Sequence, residues 1–365
     1  MQKKEEKRVA LCLGIASCPS DKGEVPMVSQ KRFMVLIAIA LLIGAVGSVV
    51  AQGQLTYEAA LACVKAHLPA ESYSTNQYLP FEELTKPTHG GFTKNHQIRL
   101  GFPWVSNDEE TQFYIAQELG YFAEEGLEVE FVSGGPGKDH VQSLGGGAVD
   151  IAVAAGGESI LFARTSPTPI MVTAVGTLLK DAPLAYITLY VNMILDKAGI
   201  ARDAVTIIDA DFTPAVILTG RADFYSGWIM NQPRMLEEET LEHSSYKWNA
   251  LMFHQWAFSE PSDTIVVLDE MLATAEGRDI VRRFLRATYR GTQYLLDHPE
   301  ESAEIAVEYS TDVPITYEQA LSRFEKQEPL IVGSDELGLL AMSDDQWDNV
   351  AAMLVQYGQL KLDCS

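Results

Sequence analysis

The sequence predicts an α/β protein built from two similar lobes. From His96 onward, short apolar runs alternate with amphipathic stretches, which is the strand–helix signature. The order strand, helix, strand, helix, strand between Gln97 and Val175 implies parallel strands joined by right-handed crossovers. One passage also recurs. Leu144 to Asp150 (LGGGAVD) and Leu218 to Asp223 (LTGRAD) both run helix end, glycine, aspartate, strand. Glycine supplies the left-handed cap that stops each helix.

In the first half, Gln97 to Phe102 reads as a strand and Glu110 to Phe122 as a helix with Phe113, Ile115, Leu119 and Phe122 on its apolar side. Leu127 to Val132 is the second strand, and Asp139 caps a short helix ending near Gly145. Asp150 to Ala154 is a buried strand, Glu158 to Arg164 a helix, and Pro169 to Val175 another strand. The second half is briefer: helix Tyr190 to Ala198, strand Val205 to Asp209, helix Thr213 to Thr219, strand Asp223 to Ser226. The last third is helical. Asp279 to Leu296 turns Ile280, Phe284 and Leu295 inward and leaves Arg282, Arg283 and Arg286 outside. Pro299 opens the next helix at a favoured position, Tyr317 to Lys326 follows, and Ser343 caps a helix that Gly358 stops after Tyr357.

Composition narrows the class. The chain has 365 residues, 47% hydrophobic and 21% charged, which excludes a disordered or collagen-like protein. Lys and Arg number 27 against 50 Asp and Glu, a formal charge of −23 that repels phosphate backbones and disfavours a nucleic-acid partner. Lys31-Arg32 precede an uncharged apolar run, Phe33 to Ala51, ending in small residues. That is the form of a secretory signal cut before Gln52, or of a retained anchor just long enough to span a bilayer. Either one exports the remainder. Met27 makes a better-shaped start than Met1, which sets residues 1–26 aside as an extension and Cys12 and Cys18 with them. Cys63 and Cys364 remain, and both a disulfide and two separate thiols are open.

Catalytic signatures are missing from the sequence. Gly134-Gly-Pro-Gly-Lys138-Asp139 imitates a phosphate loop, but Val132 stands where the first glycine belongs and Asp139 where a magnesium-holding Ser or Thr belongs. The seven histidines form no metal pair at helical spacing. The expectation is therefore no enzyme, no cofactor and no metal. Aromatic and small polar residues gather instead at strand-to-helix junctions, where ligands of parallel sheets bind. These are Trp104 and Asn107, with Tyr114 further along; Gly134 and Gly135, whose bare amides permit close approach; Gly157, Glu158 and Ser159 at a helix start; and Tyr225, Trp228 and Asn231 in the second half. Each has a plainer reading: Trp104 as a rim residue, Tyr114 as core, Glu158 as an acid favoured by the helix dipole, and the glycine run as a turn.

Ile98-Arg-Leu-Gly-Phe-Pro-Trp104 and Phe113 to Glu130 (FYIAQELGYFAEEGLEVE) resemble the opening of solute-binding proteins of ABC importers. The subgroup handles thiamine pyrimidine precursors, riboflavin, alkanesulfonates, taurine and nitrate. Ser133 to Gly137, Gly147 to Val153, Asp223 to Pro233 and Val281 to Gly291 extend the similarity. The resemblance implies a periplasmic-binding-protein-like fold of type II, two α/β lobes closing on a ligand, with contacts at Trp104, Asn107, Gly157 to Ser159 and Tyr225 to Asn231. It implies a small-molecule ligand and a membrane ABC permease as partners, and a monomer on the extracytoplasmic side. The expected layout is a signal or anchor at 27–51, an extension at 52–95, lobe 1 at 96–187, lobe 2 at 188–258, and helices at 259–365 returning to lobe 1. One departure stands out. The family carries a further strand and a ligand loop between the strand matching Ala185 to Leu189 and the helix from Tyr190, whereas here Leu189 runs straight into Tyr190. Lobe 2 is thus expected to be shortened, with a sheet edge left open. Stacking aromatics favour a flat heterocycle as ligand, with sulfonate, taurine or nitrate as the alternative. A pyrimidine-phosphate synthase of related fold is the enzymatic rival; it lacks support because no cysteine lies between Cys63 and Cys364.

Overall fold

The computed structural model describes residues 9–14, 55–79, 95–138, 140–183, 188–210, 213–240, 249–256, 259–334 and 336–364. Its strands are β1 (Val9–Gly14), β2 (His96–Gly101), β3 (Leu127–Val132), β4 (Ile151–Gly156), β5 (Val172–Leu179), β6 (Val205–Ala210), β7 (Phe224–Tyr225) and β8 (Ser262–Leu268). Its helices are α1 (Tyr57–His67), α2 (Thr111–Glu118), α3 (Tyr121–Glu124), α4 (His140–Gly145), α5 (Glu158–Thr165), α6 (Thr188–Lys197) and α7 (Ala215–Leu218), followed by α8 (Gln232–Thr240), α9 (Asp269–Ala273), α10 (Ala275–Asp297), α11 (Pro299–Tyr309), α12 (Tyr317–Val332) and α13 (Asp344–Gln356). The chain divides into a larger unit, Gln54–Pro183 with Phe258–Ser365, and a smaller one, Met1–Gly53 with Leu184–Ala257.

The larger unit holds a five-stranded sheet in the order β3-β2-β4-β8-β5. β2 runs parallel to both β3 and β4, and β8 lies antiparallel between β4 and β5. β8 is the strand on which the chain re-enters this unit, and its residues Ser262 to Val267 are buried. Near-continuous apolar strands such as Ile151 to Ala154 are what a sheet covered on both faces requires. Leu100, Phe102, Phe113, Ile151, Ile265 and Phe284 form the heart of one core. The outer edge of β5 is not left open. Ala174 exchanges backbone bonds with Tyr73 (2.8 Å) and Thr75 (3.0 Å), so the segment after α1 covers it.

That segment, read from sequence as an extension, belongs to the unit. The Tyr57 hydroxyl donates to Asn349 Oδ1 at 3.0 Å, Lys65 pairs with Asp348 at 3.4 Å, and Cys63 forms a disulfide with Cys364. Two further expectations are corrected. The helix expected over Glu110 to Phe122 is two, because Gly120 sits at φ +74° and turns the chain between them. Arg283 and Arg286, expected outside, are buried. Arg283 donates to the Glu125 carbonyl (2.7 Å) and Arg286 to the Glu125 carboxylate (2.9 Å), so the turn before β3 covers the second face of α10. An apolar stripe identifies one buried face of a helix and is blind to a polar one.

The smaller unit contains a three-stranded parallel sheet, β6-β1-β7. β1 is its centre: Val9 to Gly14 pair in register with Val205 to Ala210 on one side, and Leu11 and Cys12 with Phe224 and Tyr225 on the other. Residues 1–26, set aside in the sequence reading, thus supply a central strand to the lobe expected to lack one. Thr188 and Leu189, expected in a strand, are helical. The core here is small, Ala210, Val216 and Ala222 with Ile208, Ile217 and Tyr225 against it. The glycine of the repeated passage behaves as expected, Gly147 and Gly220 both having φ +68°. The Asp139 cap and the apolar run Phe33 to Ala51 lie outside the described residues. Among those described, no helix is long and apolar enough to cross a membrane. Cleavage after Ala51, or a start at Met27, would separate β1 from the rest, so the sheet and the signal reading make opposing demands.

A chain beginning at Gln52 leaves β6 and β7 without the strand that joins them. Limited proteolysis should then cut residues 188–240 in that chain while the full chain resists, and equal resistance would show that β1 contributes nothing. Replacing Cys63 and Cys364 by serine should lower unfolding free energy by about 2–5 kcal/mol, measured in urea.

Candidate functional site

In the larger unit, three loops leave the carboxyl ends of β2, β3 and β4, where the crossover rule puts ligands. The first two are locked together. The Gly134 N–H donates to the Trp104 carbonyl at 2.8 Å, and the approach is so close that a Cβ on Gly134 would lie 2.3 Å from the Phe102 carbonyl oxygen. Only glycine fits, which gives this position a packing reason apart from any ligand. Gly135 has φ +128° and rests beside Val105. Ser106 and Ser133, from the two loops, bring their hydroxyls to 2.6 Å, and Asp312 accepts from the Ser133 hydroxyl (2.6 Å) and the Ser106 N–H (3.0 Å).

Asn107 caps the turn Asp108–Glu110: its side-chain oxygen accepts from the Glu109 N–H at 2.7 Å and its amide donates to the Val105 carbonyl at 3.1 Å. Trp104 is half-buried at the loop. Tyr114 is corrected from a contact residue to a core residue. It is 1% exposed and its ring stacks on Tyr309 at 4.9 Å, with Phe102 and Phe131 edge-on.

At the third loop, Gly157 precedes α5 and its N–H donates to the Pro261 carbonyl at 3.2 Å. A Cβ there would fall 2.6 Å from the ring of the buried Trp347, so this glycine too answers to packing. Glu158 and Ser159 follow in the first turn, half-buried. In the smaller unit, Tyr225 packs against the Ala210, Val216 and Ala222 core. The Trp228 N–H donates to Gln232 Oε1 at 2.7 Å, and the Asn231 N–H donates to the Trp228 carbonyl at 2.9 Å, a turn that holds both half-buried side chains.

Sequence reasoning missed a buried charge cluster next to these loops. Asp108, Glu109 and Glu110 follow Asn107, and Asp263 is the second residue of β8, two residues after Pro261. All four are buried, together with one cation, Arg323 of α12, which bonds Asp108 at 2.7 Å. Burial first, then the neighbouring carboxylates, raise Glu110 and Asp263 well above the usual carboxylate range. Glu109 is raised by burial, with Arg323 opposing. Burial opposes the charge on Arg323, but Asp108, Glu109 and Glu110 outweigh it and hold the proton more firmly. Neither oxygen of Asp263 has a hydrogen-bond partner among the described residues, and its backbone sits at φ +48°. No sequence pattern announces this, because D-E-E at a helix start reads as an ordinary acidic first turn.

An open depression of about 590 Å³, lined by Gln97, Arg99, Glu128 and Glu130, lies at the opposite ends of β2 and β3. Its charges serve the fold. Asp150 accepts from the Arg99 guanidinium (2.7 and 2.9 Å) and from the Arg99 N–H (2.8 Å), joining β2 to the start of β4.

The cluster has a pH signature. Glu109, Glu110 and Asp263 bind protons more tightly folded than unfolded, so their contribution is complete below about pH 3.8–4.5 and is lost as pH rises towards their raised values. Asp150 and Asp312 are lowered and act with opposite sign, only in more acid solution. Asp263→Asn keeps a residue tolerant of positive φ and removes the charge. It should flatten the fall in melting temperature between pH 5 and 8 and raise stability at pH 8 by about 1–3 kcal/mol. An unchanged slope would rule the cluster out as its source.

The sequence model of the family described as NMT1/THI5 like matches residues 107–194 and 188–302. The two matches overlap at 188–194, the place where the sequence is expected to lack a strand and loop of the family. A formylaminopyrimidine-binding protein of Halalkalibacterium halodurans is 26% identical over 236 residues, 57% of this chain and 69% of the relative. The riboflavin-binding protein RibY of Chloroflexus aurantiacus is 24% identical over 270 residues, 66% of this chain and 74% of that protein. A 4-amino-5-hydroxymethyl-2-methylpyrimidine phosphate synthase of Legionella pneumophila is 27% identical over 57% of this chain and 72% of its own length. Among solved structures, the periplasmic aliphatic sulphonate binding protein SsuA of Escherichia coli superposes with a TM-score of 0.53 at 12% identity, covering 74% of this chain and 95% of that one. The fold is that of the periplasmic binding proteins.

Proposed function

The chain belongs to the NMT1/THI5-like family, and from that premise we propose that it is the exported solute-binding component of an ABC importer, taking a flat, amino-bearing heterocycle of the pyrimidine or flavin kind. The carrying observation is the charge beside the loops: four buried carboxylates against the single guanidinium of Arg323. With Glu110 and Asp263 protonated, the cluster presents no surplus positive charge; with them ionised, it is strongly negative. A sulfonate or nitrate needs convergent cations or free helix amides. A heterocycle with N–H donors needs acceptors, and carboxyl and serine oxygens are acceptors. The relatives named for formylaminopyrimidine and riboflavin agree with this choice.

In this reading Trp104, Asn107, Gly134, Gly135, Gly157, Glu158 and Ser159, all in the larger unit, contact the ligand. The protein holds its solute without changing it. The Cys63–Cys364 disulfide fits an oxidising, extracytoplasmic compartment. It also leaves no cysteine in the segment matched by the family for synthase chemistry.

A thermal-shift panel on the full chain tests the ligand class. Formylaminopyrimidine or riboflavin at a hundred times its dissociation constant should stabilise the protein by about 2.7 kcal/mol, while taurine, alkanesulfonates and nitrate leave it unmoved. A shift with nitrate or a sulfonate alone would overturn the heterocycle reading.

A further inference from the structure

We infer that Asp312, on the loop between α11 and α12, is the positioning residue that fixes the two ligand loops after β2 and β3 in one arrangement. It lies beyond residue 302, outside the segment the family matches. Its carboxylate reaches both loops at once: Oδ2 accepts from the Ser133 hydroxyl at 2.6 Å and from the Ser106 N–H at 3.0 Å. Lys138, on the far side of the glycine turn, donates to the Ser133 carbonyl at 3.3 Å and adds a favourable charge. Although the carboxylate is nearly bare of protein cover, those donors hold it ionised, with its proton affinity below that of an ordinary aspartate.

Proton accounting gives the clamp a direction. A serine hydroxyl has one proton and two acceptor sites. Ser133 gives its proton to Asp312, and the Ser106 hydroxyl has both Ser133 Oγ, at 2.6 Å, and the Asp312 carboxylate within reach as acceptors. Both serine hydroxyls therefore converge on Asp312, with the Tyr114 hydroxyl also beside Ser106. This rests on the ligand reading above and deepens it: the arrangement of both ligand loops depends on a carboxylate outside them. It also explains why Gly134 is held so near the first loop. The Gly134 N–H to Trp104 carbonyl bond (2.8 Å) ties the same two loops.

The test compares the full chain with Asp312→Ala, Asp312→Glu and Ser133→Ala. Without ligand, amide hydrogen exchange at Gly134 and its neighbours 133–137 should quicken about 10-fold in Asp312→Ala, while exchange in β2, β3 and the melting temperature stay put. Titration with formylaminopyrimidine should show affinity weakened about 5- to 10-fold in Asp312→Ala and Ser133→Ala, and part of the loss recovered in Asp312→Glu. Unchanged exchange at 133–137 would overturn the clamp. Quickened exchange with undiminished affinity would overturn its role in positioning the ligand. Quickened exchange in a protein that binds formylaminopyrimidine in neither form would uphold the clamp and remove the ligand reading instead.

Discussion

The arrangement of this protein depends on a backbone requirement: a strand inside a sheet must find partners along both of its edges, because a buried N–H or C=O without one costs as much as a lost hydrogen bond. In the larger unit the requirement is met by β8, which comes back from the smaller unit's stretch of sequence and inserts antiparallel between β4 and β5. It is completed by residues 73–75, which cover the outer edge of β5. The smaller unit meets the same requirement with β1, taken from the far N-terminal end of the chain. Val9 to Gly14 thus pair with strands almost two hundred residues away.

The loops follow from the sheet. Parallel strands β2, β3 and β4 deliver their carboxyl ends to one rim, and the rim is then shaped by contacts that leave no room for side chains. Gly134 lies against the Phe102 carbonyl and Gly157 under Trp347. These glycines are demanded by packing, and the same lack of a Cβ leaves backbone amides accessible. Charge beside the rim is concentrated and poorly neutralised. Arg323 has Asp108 as a close partner, and Asp263 is buried with no hydrogen-bond partner among the described residues. Such a group costs about 1–3 kcal/mol, a sizeable part of a folded protein's margin. Strain of that sort is tolerated where the local chemistry needs it.

Much of the larger unit was legible in its residues. Alternation in Leu127 to Val132 and the unbroken apolar run at Ile151 to Ala154 mark strands whatever their partners are, since period and burial are properties of the local sequence. The junction argument picks out the loops at the carboxyl ends of β2, β3 and β4 for the same reason: connectivity alone assigns which ends of parallel strands lead into helices. It failed where the decisive neighbour is remote. Tyr114 reads equally as a ligand contact or as core until Tyr309 is seen stacked on it. Arg286 reads as a solvent-facing residue until Glu125 appears beside it. Asp312 has no distinguishing neighbours in sequence, and its importance comes wholly from Ser106 and Ser133, more than 170 residues upstream.

What the sequence by itself determined is therefore the class of fold, the identity of most strands and helices, the caps at Gly147 and Gly220, and the membership of a solute-binding family. All of these depend on periodicity, turn chemistry or ordered motifs within tens of residues. Only the tertiary structure decided that Val9–Gly14 is a strand, that Cys63 and Cys364 are joined, and that Asp108 to Glu110 share a buried cluster with Asp263 and Arg323. Each is a meeting of segments far apart in the chain, and one-dimensional patterns carry no information about which distant edges, thiols or charges come together.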